Sequence, residues 1–460
     1  MRLNALVSLF ALLVAVDANE HHVRLANRQA VGSSSTSSSA TSSFTSSMSA
    51  SSSAASSSST SSSTSASPVP TTPVGTTIPP LSQITSGMPT PTTLPVTATY
   101  PAGATPPIPG APTLPTPFVF IASQWPAQDH IATTTGPEVA QWMTELNGID
   151  IPAIPPTRDG TCAGDPAAAA QAASRGWWSC GGYTRDSDIT ACPTKMTWGV
   201  SFDDGPGFFS QELLDYLSTK NLLSTFFVVG SRVVERPQVL REEYMAGHEI
   251  AVHTWSHRPL TMLTTEQVVA ELGYTRKAIK QVLGVTPTLM RPPYGDIDDR
   301  VRAISLAMGM VPVIWTRTPS GATFDTNDWK VPGGVVTGPQ SFATFQAILN
   351  NATTLNTGFI VLEHDLYAQT VDLAIGYTLP TAQSFNPPLT FDSIGQCNGI
   401  PKTNLYRESN LNKTFPYPNT TVGSTGSTAG SSKHGGAALS AAIPLSAAIV
   451  PLLALAASLL

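Results

Sequence analysis

The sequence predicts an α/β fold built on a parallel sheet. Two observations support this prediction. Short apolar runs rich in β-branched and aromatic residues alternate with segments of helical periodicity between residues 196 and 364. Polar side chains also follow several of these runs directly, at the carboxyl end of each predicted strand. Alternation of strands and helices favours parallel pairing, in which the sheet either closes as a barrel or stays open and doubly wound.

The first predicted strand is Met196–Phe202, and the helix that follows it is predicted over Ser210–Lys220, with Ser210 as its N-cap. The later predicted strands are Ser224–Val229, Glu249–His253, Thr288–Arg291, Val311–Thr316 and Phe359–Glu363. The later predicted helices are Gln238–Ala246, Thr265–Leu283, Asp299–Met308 and Phe342–Leu349. Each strand therefore has a helix, or a segment long enough for one, before the next strand.

The composition excludes several classes of protein. The 460 residues contain 24 Lys and Arg against 30 Asp and Glu, so the net charge is −6, and only 12% of residues are charged. Globular proteins average roughly 25% charged residues. No domain-sized basic segment is present, which argues against a nucleic-acid partner. Four cysteines are too few for a disulfide-scaffold protein, and they lack the paired spacing of a zinc ribbon.

Both ends of the chain carry processing patterns. Residues 1–18 are predicted to be a secretory signal peptide, since a short apolar run follows Arg2. Residues 433–460 are predicted to be the removed signal of a GPI anchor, because an apolar tail follows a short polar spacer. The candidate attachment residues are Gly430, Ser431 and Ser432. A tail-anchored membrane helix is the alternative interpretation of the same tail. The protein is therefore expected to be secreted to the cell surface and held there by GPI lipid on the plasma membrane or, after transfer, on wall glucan.

The composition between these ends divides the chain further. Residues 19–117 are rich in Ser, Thr and Pro and are predicted to form a disordered, O-glycosylated stalk. The ordered core is predicted between about residues 118 and 407, within which the motif-bearing stretch described below runs from 195 to 394 and residues 118–194 are an extension that packs on it. Residues 395–432 are predicted to be a C-terminal segment and linker. N-glycosylation is predicted at three sequons, Asn351, Asn412 and Asn419.

Polar residues that end the predicted strands form the candidate active site. Asp203 and Asp204 follow the first strand, and His253, Arg291 and His364 end three later ones. In α/β barrels the carboxyl ends of the strands form the functional face. Segments that are far apart in sequence are therefore predicted to converge at one rim.

Part of this set is suited to metal binding. His253 and His257 are four residues apart, and with one aspartate they form a set of two histidines and one carboxylate, as in catalytic zinc sites. Taken alone, such a pair is more typical of satisfied or surface histidines than of metal ligands. For Asp203 and Asp204 the alternative is an ordinary turn, since Gly-Pro follows them. In the functional interpretation one aspartate binds the metal and the other acts as a base on water.

The remaining candidates each have a structural alternative. His364 is either a core histidine or a general acid. The Arg291–Tyr294 segment is either a proline-stiffened turn or a loop whose arginine orients the catalytic carboxylate and whose backbone N–H binds an oxyanion. The Asp325–Trp329 segment is either a solvated loop or part of the pocket, with Asp325 bracing the arginine and Trp329 forming an apolar wall.

Five segments, taken in order, resemble the motifs of the polysaccharide deacetylase family, the NodB-homology enzymes of carbohydrate esterase family 4. They are SFDDGP at 201–206, HTWSH at 253–257, RPPY at 291–294, DTNDW at 325–329 and IVLEH at 360–364. Together with the signal peptide, the stalk and the apolar tail, they are similar to the cell-surface chitin deacetylases of fungi. The resemblance implies a distorted (β/α) barrel of the NodB type with disordered Ser/Thr/Pro-rich flanks.

The resemblance also implies the chemistry. Zn²⁺ or Co²⁺ would be held by Asp204, His253 and His257, with Asp203 as the catalytic base and His364 as the catalytic acid. The implied reaction is hydrolysis of the N-acetyl groups of chitin to give chitosan and acetate, as part of cell-wall remodelling. No protein partner is implied.

The resemblance assigns substrate contacts to five further residues. Arg291 would position the base, and the backbone N–H of Tyr294 would join the oxyanion site. Trp329 and Leu362 would line the acetyl pocket, while Asp325 would tune the charge network. Exposed aromatic residues of the motifs, such as the Trp in HTWSH, are further candidates for sugar stacking.

The four cysteines allow three pairings. Cys192 and Cys397 flank the start and the end of the predicted barrel, so we expect them to be bridged, which leaves Cys162 with Cys180. Three other functions stay open on the sequence. The first is deacetylation of another polysaccharide, such as xylan or peptidoglycan, and the second is a non-catalytic wall mannoprotein. The third, a two-carboxylate glycosidase, is disfavoured because adjacent aspartates do not provide the required carboxyl separation.

Overall fold

The central element is a parallel sheet whose strands are short, apolar and buried. In the computed structural model, which describes residues 77–318 and 320–410, the strand order is β5-β4-β3-β2-β1-β6, and β7 pairs with β1. The strands are β1 (Thr197–Asp203), β2 (Thr225–Val228), β3 (Glu249–Val252), β4 (Leu289–Met290), β5 (Val311–Pro312), β6 (Phe359–Ile360) and β7 (Thr390–Ser393). The six pairings between these strands are all parallel.

Helices cover the sheet and connect its strands. Those within the described residues are α1 (Pro137–Met143), α2 (Pro166–Ala169), α3 (Ala172–Arg175), α4 (Ser210–Lys220), α5 (Gly230–Glu235), α6 (Pro237–Met245), α7 (Thr265–Leu283), α8 (Asp299–Ala307), α9 (Gly338–Ala352), α10 (Ala368–Leu373), α11 (Leu379–Gln383) and α12 (Ile394–Cys397). The longest, α7, begins with a capping box of Thr264 and Gln267 and ends at Gly284, whose φ is 84°. Short 3₁₀ turns join several of the other elements.

The helix α4 begins differently from the prediction. Its N-cap is Phe209, and Ser210 is the first helical residue. The hydroxyl of Ser210 accepts a hydrogen bond from the backbone N–H of Gly207 and donates one to the carboxylate of Asp365. The prediction of Ser210 as the N-cap was therefore wrong, because its hydroxyl is hydrogen-bonded to Gly207 and to the buried carboxylate of Asp365 instead.

The sheet curls until its two edges meet. The first half of β1 pairs with β6 and β7, and its second half pairs with β2. Beyond β5, the backbone N–H of Thr316 donates to the carbonyl of Ile360 at 3.0 Å, and the N–H of Ile360 donates to Oγ1 of Thr316 at 2.9 Å. These bonds join the β5 edge to β6. The distorted (β/α) barrel is therefore confirmed, and the open doubly wound sheet is excluded.

Part of the predicted stalk is instead folded against the barrel. Residues 77–117, here called the strap, include the buried side chains of Ile84 and Leu114. The backbone N–H of Gly338 donates to the carbonyl of Ile84 at 2.9 Å. The buried guanidinium of Arg241 donates to three strap carbonyls, those of Tyr100, Pro115 and Thr116. The stalk prediction was therefore wrong for the strap, because apolar residues between the prolines reach the core and side chains bind its backbone.

The two disulfides have the pairing expected from the sequence. Cys162 is bonded to Cys180, and Cys192 to Cys397. The second bond joins a residue just before β1 to the last residue of α12, so it links the start of the barrel to its end. Within residues 77–318 and 320–410, no helix is both long and apolar enough to cross a membrane.

Several of the predicted features lie outside the described residues. These are the signal peptide, the Ser-rich part of the stalk, the GPI signal with Gly430, Ser431 and Ser432, and the sequons at Asn412 and Asn419. The third sequon residue, Asn351, lies near the end of α9 and is partly exposed.

Candidate active site

The structure brings the predicted polar residues together at the carboxyl ends of the strands. Asp203 is the last residue of β1, and the segment after β6 runs beside it. The backbone N–H of Asp203 donates to the carbonyl of Glu363 at 3.0 Å, and that of Asp365 donates to the carbonyl of Asp203 at 3.2 Å. His364 is therefore the direct neighbour of Asp203 across two parallel segments, although the two are far apart in sequence.

Asp204, His253 and His257 form a set that can hold a metal ion. The Nε2 atoms of His253 and His257 lie 3.4 and 3.1 Å from Oδ1 of Asp204, and the candidate ligand atoms are all within 4.8 Å of one another. Nδ1 of His253 lies 2.8 Å from the carbonyl oxygen of Arg291, which turns Nε2 toward the set. Metal-binding histidines commonly use their second nitrogen in this way. Two imidazoles and one carboxylate suit a divalent cation such as zinc.

The electrostatic surroundings keep Asp204 ionised. Burial acts to raise the pKa of its carboxyl, but His257, a hydrogen bond from His253 and Arg232 together hold that pKa well below its usual value. Nη1 of Arg232 also donates to the backbone carbonyl of Asp204 at 2.7 Å. The carboxylate is therefore available as an anionic ligand.

Backbone strain concentrates around this set. Five of the eight non-glycine residues with positive φ in the described part of the chain lie in the site loops, namely Asp204, Thr254, His257, Tyr294 and Asn327. Their φ angles run from 56° to 80°. Such conformations cost of order 1–3 kcal/mol each and persist only where the surroundings impose them. The site geometry is thus fixed by the fold rather than by local preference.

Asp203 is held by a buried arginine. Nη1 of Arg291 lies 2.6 Å from Oδ1 of Asp203 and 3.0 Å from Oγ of Ser201, and the guanidinium stacks over the ring of Phe227 at 4.0 Å. The other oxygen of Asp203, Oδ2, lies 3.9 Å from Nε2 of His253. One carboxylate oxygen is therefore anchored while the second is directed to the metal set.

His364 is held by a second aspartate. Its Nδ1 lies 2.8 Å from Oδ1 of Asp328, and its backbone N–H donates to Oδ2 of the same residue at 2.9 Å. Burial alone would lower the pKa of His364, but the carboxylates of Asp328, Asp204 and Asp203, with Asp328 first among them, raise it to about 10. The ring is therefore cationic at neutral pH and can supply a proton.

One small cavity, of about 130 Å³, opens over these groups. The residues that line it are Asp203, His253, His257, Tyr294, Trp315, Asp325, Trp329, Leu362 and His364. Apolar walls and titratable groups thus face the same space.

Comparison with known proteins gives the family. The sequence model of the polysaccharide deacetylase family matches residues 190–313. Chitin deacetylase 1 of Cryptococcus neoformans is 49% identical over 348 residues, which are 75% of this chain and 73% of that protein. The chain belongs to the polysaccharide deacetylase family.

Other relatives of this polysaccharide deacetylase cover less of it. The chitin deacetylase of Amylomyces rouxii is 37% identical over 56% of the chain and 63% of its own length. The solved structure of the chitin deacetylase from Colletotrichum lindemuthianum aligns with a TM-score of 0.44 and 25% identity. That alignment covers 48% of this chain and 95% of the other.

Two residues of the deacetylase site were missed from the sequence. Asp328 lies directly before Trp329 in the fourth motif, and a second acid beside that tryptophan was the available indication. Trp315 follows β5 and packs edge-on against Trp178 at a centroid distance of 4.7 Å. In the sequence Trp315 lies inside the predicted strand Val311–Thr316, which gave no indication that its side chain would face the cavity.

Two expectations about the deacetylase were wrong. Asp325 lines the cavity, but its carboxylate accepts from the backbone N–H of Asn327 at 2.8 Å, and the carboxylate that braces Arg291 is Asp203. Trp255, the tryptophan of HTWSH, is only 1% exposed, so it is not a surface for stacking sugars. Packing of the aromatic rings behind the loop accounts for its burial.

Proposed function

We propose that this polysaccharide deacetylase hydrolyses the N-acetyl groups of N-acetylglucosamine units in chitin, giving chitosan and acetate. The relatives named chitin deacetylases support the substrate. The observation that carries the chemistry is the pairing of Asp203 with His364 beside the Asp204–His253–His257 set in one cavity. Each of the two catalytic groups has its own buried partner of opposite charge, Arg291 for Asp203 and Asp328 for His364.

The metal set is expected to hold Zn²⁺ or Co²⁺ through Asp204, His253 and His257. When bound, a divalent cation activates water and polarises the acetyl carbonyl. The fit rests on the two imidazole nitrogens and the ionised carboxylate oxygen that face one another within 4.8 Å. Deacetylases of this family are metal-dependent, which agrees with the donor set.

Asp203 acts as the general base in this proposal. Its carboxylate takes a proton from the attacking water, whose oxygen forms the new bond to the acetyl carbon. Arg291 anchors one carboxylate oxygen at 2.6 Å and so fixes the direction of the other. The proton is accepted in a site from which bulk water is largely excluded, since Asp203 is 1% exposed.

His364 acts as the general acid. The ring donates a proton to the glucosamine nitrogen as the amide C–N bond breaks, and acetate and a free amine result. Asp328 holds Nδ1, so Nε2 is the nitrogen left to reach the substrate. We assign the oxyanion contact to the backbone N–H of Tyr294, and the acetyl methyl group to the walls formed by Trp329, Leu362 and Trp315. Asp325 adds a further carboxyl to the lining of the cavity, and burial raises the pKa of this carboxyl.

The experiment is acetate release from chitin oligomers by the full chain. Treatment with a chelator is expected to abolish release, and added Zn²⁺ or Co²⁺ is expected to restore it, because the donor set binds the ion that activates water. Acetylated xylan and peptidoglycan fragments serve as comparison substrates. Release from either of these but not from chitin would overturn the chitin assignment, and no release from any substrate by metal-loaded protein would overturn catalysis.

The cellular location is a separate proposal. We infer from the sequence patterns that the chain is secreted, glycosylated and attached through GPI lipid near Gly430–Ser432. Phosphatidylinositol-specific phospholipase C is expected to release the protein from membranes of cells that express the full chain. Protein that stays with the membrane after this treatment, but is extracted by detergent, would instead support a transmembrane tail.

A further inference from the structure

The loop that carries two of the candidate metal ligands has an unfavourable backbone conformation. Residues 253–257, here called the ligand loop, have His253 and His257 at their ends. Thr254 and His257 have φ angles of 64° and 56°, in the left-handed region that a β-branched residue such as Thr254 avoids. Inside the loop, the N–H of His257 donates to Oγ1 of Thr254 at 3.1 Å. A strained loop of this kind keeps its shape only if neighbouring groups hold it.

One buried carboxylate from helix α7 holds the middle of the ligand loop. Oε2 of Glu271 accepts from the backbone N–H groups of Trp255 at 3.0 Å and Ser256 at 2.8 Å. Oε1 accepts from Oγ of Ser256 at 2.9 Å and from the backbone N–H of Ala132 at 2.8 Å. Glu271 is 0% exposed. The four donors occupy the acceptor sites of the carboxylate, and three of them belong to the ligand loop.

A segment of the N-terminal extension holds the same loop from outside. Residues 125–132, here called the brace, lie outside the range matched by the family model. The ring of Trp125 stacks on that of Trp255 at a centroid distance of 5.7 Å, and Nε1 of Trp255 donates to the carbonyl of Ala127 at 3.1 Å. Nη2 of Arg258 donates to the carbonyl of Asp129 at 3.3 Å. The hydrogen bond from Ala132 to Glu271 joins the brace to α7 through the same carboxylate that binds the ligand loop.

We propose that Glu271, together with the brace, is a positioning device for the metal site. It sets the distance and orientation of the imidazoles of His253 and His257 by fixing the backbone between them. The inference rests on the proposed metal-dependent function and adds to it a part of the chain outside the family match. Groups that orient metal ligands typically contribute about 10–100-fold to metal affinity. An effect of this size is expected in the metal Kd of a Glu271 variant.

The sharpest variant is Glu271→Gln. It keeps the size of the side chain but places an NH₂ group against N–H donors, so at least one carboxylate oxygen that accepts two bonds is lost. The matched control is Glu266→Gln, which removes the same charge from an exposed position on the same helix. Both variants replace a glutamate of α7 by glutamine, but only Glu271 is hydrogen-bonded to the ligand loop.

The test is the Kd of the metal-free full chain for Co²⁺ and Zn²⁺, measured by competition with a chelator well below the melting temperature. Glu271→Gln is expected to raise Kd by about 10–100-fold, while Glu266→Gln leaves it unchanged. A Glu271→Gln protein with a lower Tm but the wild-type Kd would overturn the proposal, since a purely structural role predicts that result.

A second variant covers the case in which Glu271→Gln does not fold. Ser256→Ala removes a single donor to Oε1 of Glu271, and a smaller rise in Kd is expected from it. Wild-type affinity in Ser256→Ala would then overturn the positioning role. Wild-type protein that binds neither Co²⁺ nor Zn²⁺ would overturn the metal-dependent function itself, so the two failures are distinguished by the wild-type measurement.

Discussion

The variant Asp203→Asn is expected to lose about 10²–10⁴-fold in kcat/KM for acetate release from chitin oligomers, the usual contribution of a general base. The amide has nearly the same size as the carboxylate but does not accept a proton from water. The ion pair with Arg291, at 2.6 Å, is also replaced by a weaker neutral contact. Steady-state kinetics with a metal-saturated enzyme would measure the loss.

Two measurements make this result specific to the base. Metal content is expected to stay at the wild-type level, because the ligand set consists of Asp204, His253 and His257. The control Asp186→Asn changes an exposed aspartate that does not line the cavity and is expected to keep full activity. An Asp203→Asn enzyme that binds metal and retains most of its activity would show that another group takes the proton.

Replacing His364 by alanine is expected to cost a similar 10²–10⁴-fold, because the amine would leave without a proton donor. The loss should be smallest for acetyl esters with good leaving groups, which need little protonation. A His364→Ala enzyme whose loss is equal for amides and activated esters would contradict the acid role.

The pH profile gives an independent measure of the same residue. Against the effect of burial, the pKa of His364 is raised to about 10, first by the carboxylate of Asp328 and then by those of Asp204 and Asp203. A general acid must be protonated, so activity that depends on it is present below this pKa and is lost as pH rises through it. In Asp328→Asn the contribution of Asp328 is removed, and the alkaline limb of kcat against pH is expected to move to lower pH. An unmoved limb would show that a different group controls it.

The position of the active site followed from the sequence because strand ends are easy to locate. Asp203, His253, Arg291 and His364 each end or follow a run of buried apolar residues, and parallel strands bring their carboxyl ends to one rim. The choice between a closed barrel and an open sheet did not follow from the pattern alone. It depends on the contact between Thr316 and Ile360, which are distant in sequence and carry no local indication of pairing.

Other features were missed because tertiary contacts define them. The strap has the composition of a disordered segment, yet its carbonyls are bound by Arg241 from a distant helix. Strand β7 is short, partly exposed and polar in sequence, and it is recognisable only through its pairing with β1. Asp328 lies in the segment predicted as a loop, and Trp315 lies beyond the end of β5 although it was predicted to be in the strand; packing sets the direction of both side chains.

The bond between Cys192 and Cys397 has a consequence for proteolysis. Every residue assigned to catalysis or metal binding lies between these two cysteines, within the 205-residue span that the bond closes. A protease that cuts one peptide bond anywhere in that span leaves both fragments joined by a covalent link. A nicked molecule of this kind would keep the two halves of its active site on a single particle, and the fragments would separate only under reducing conditions.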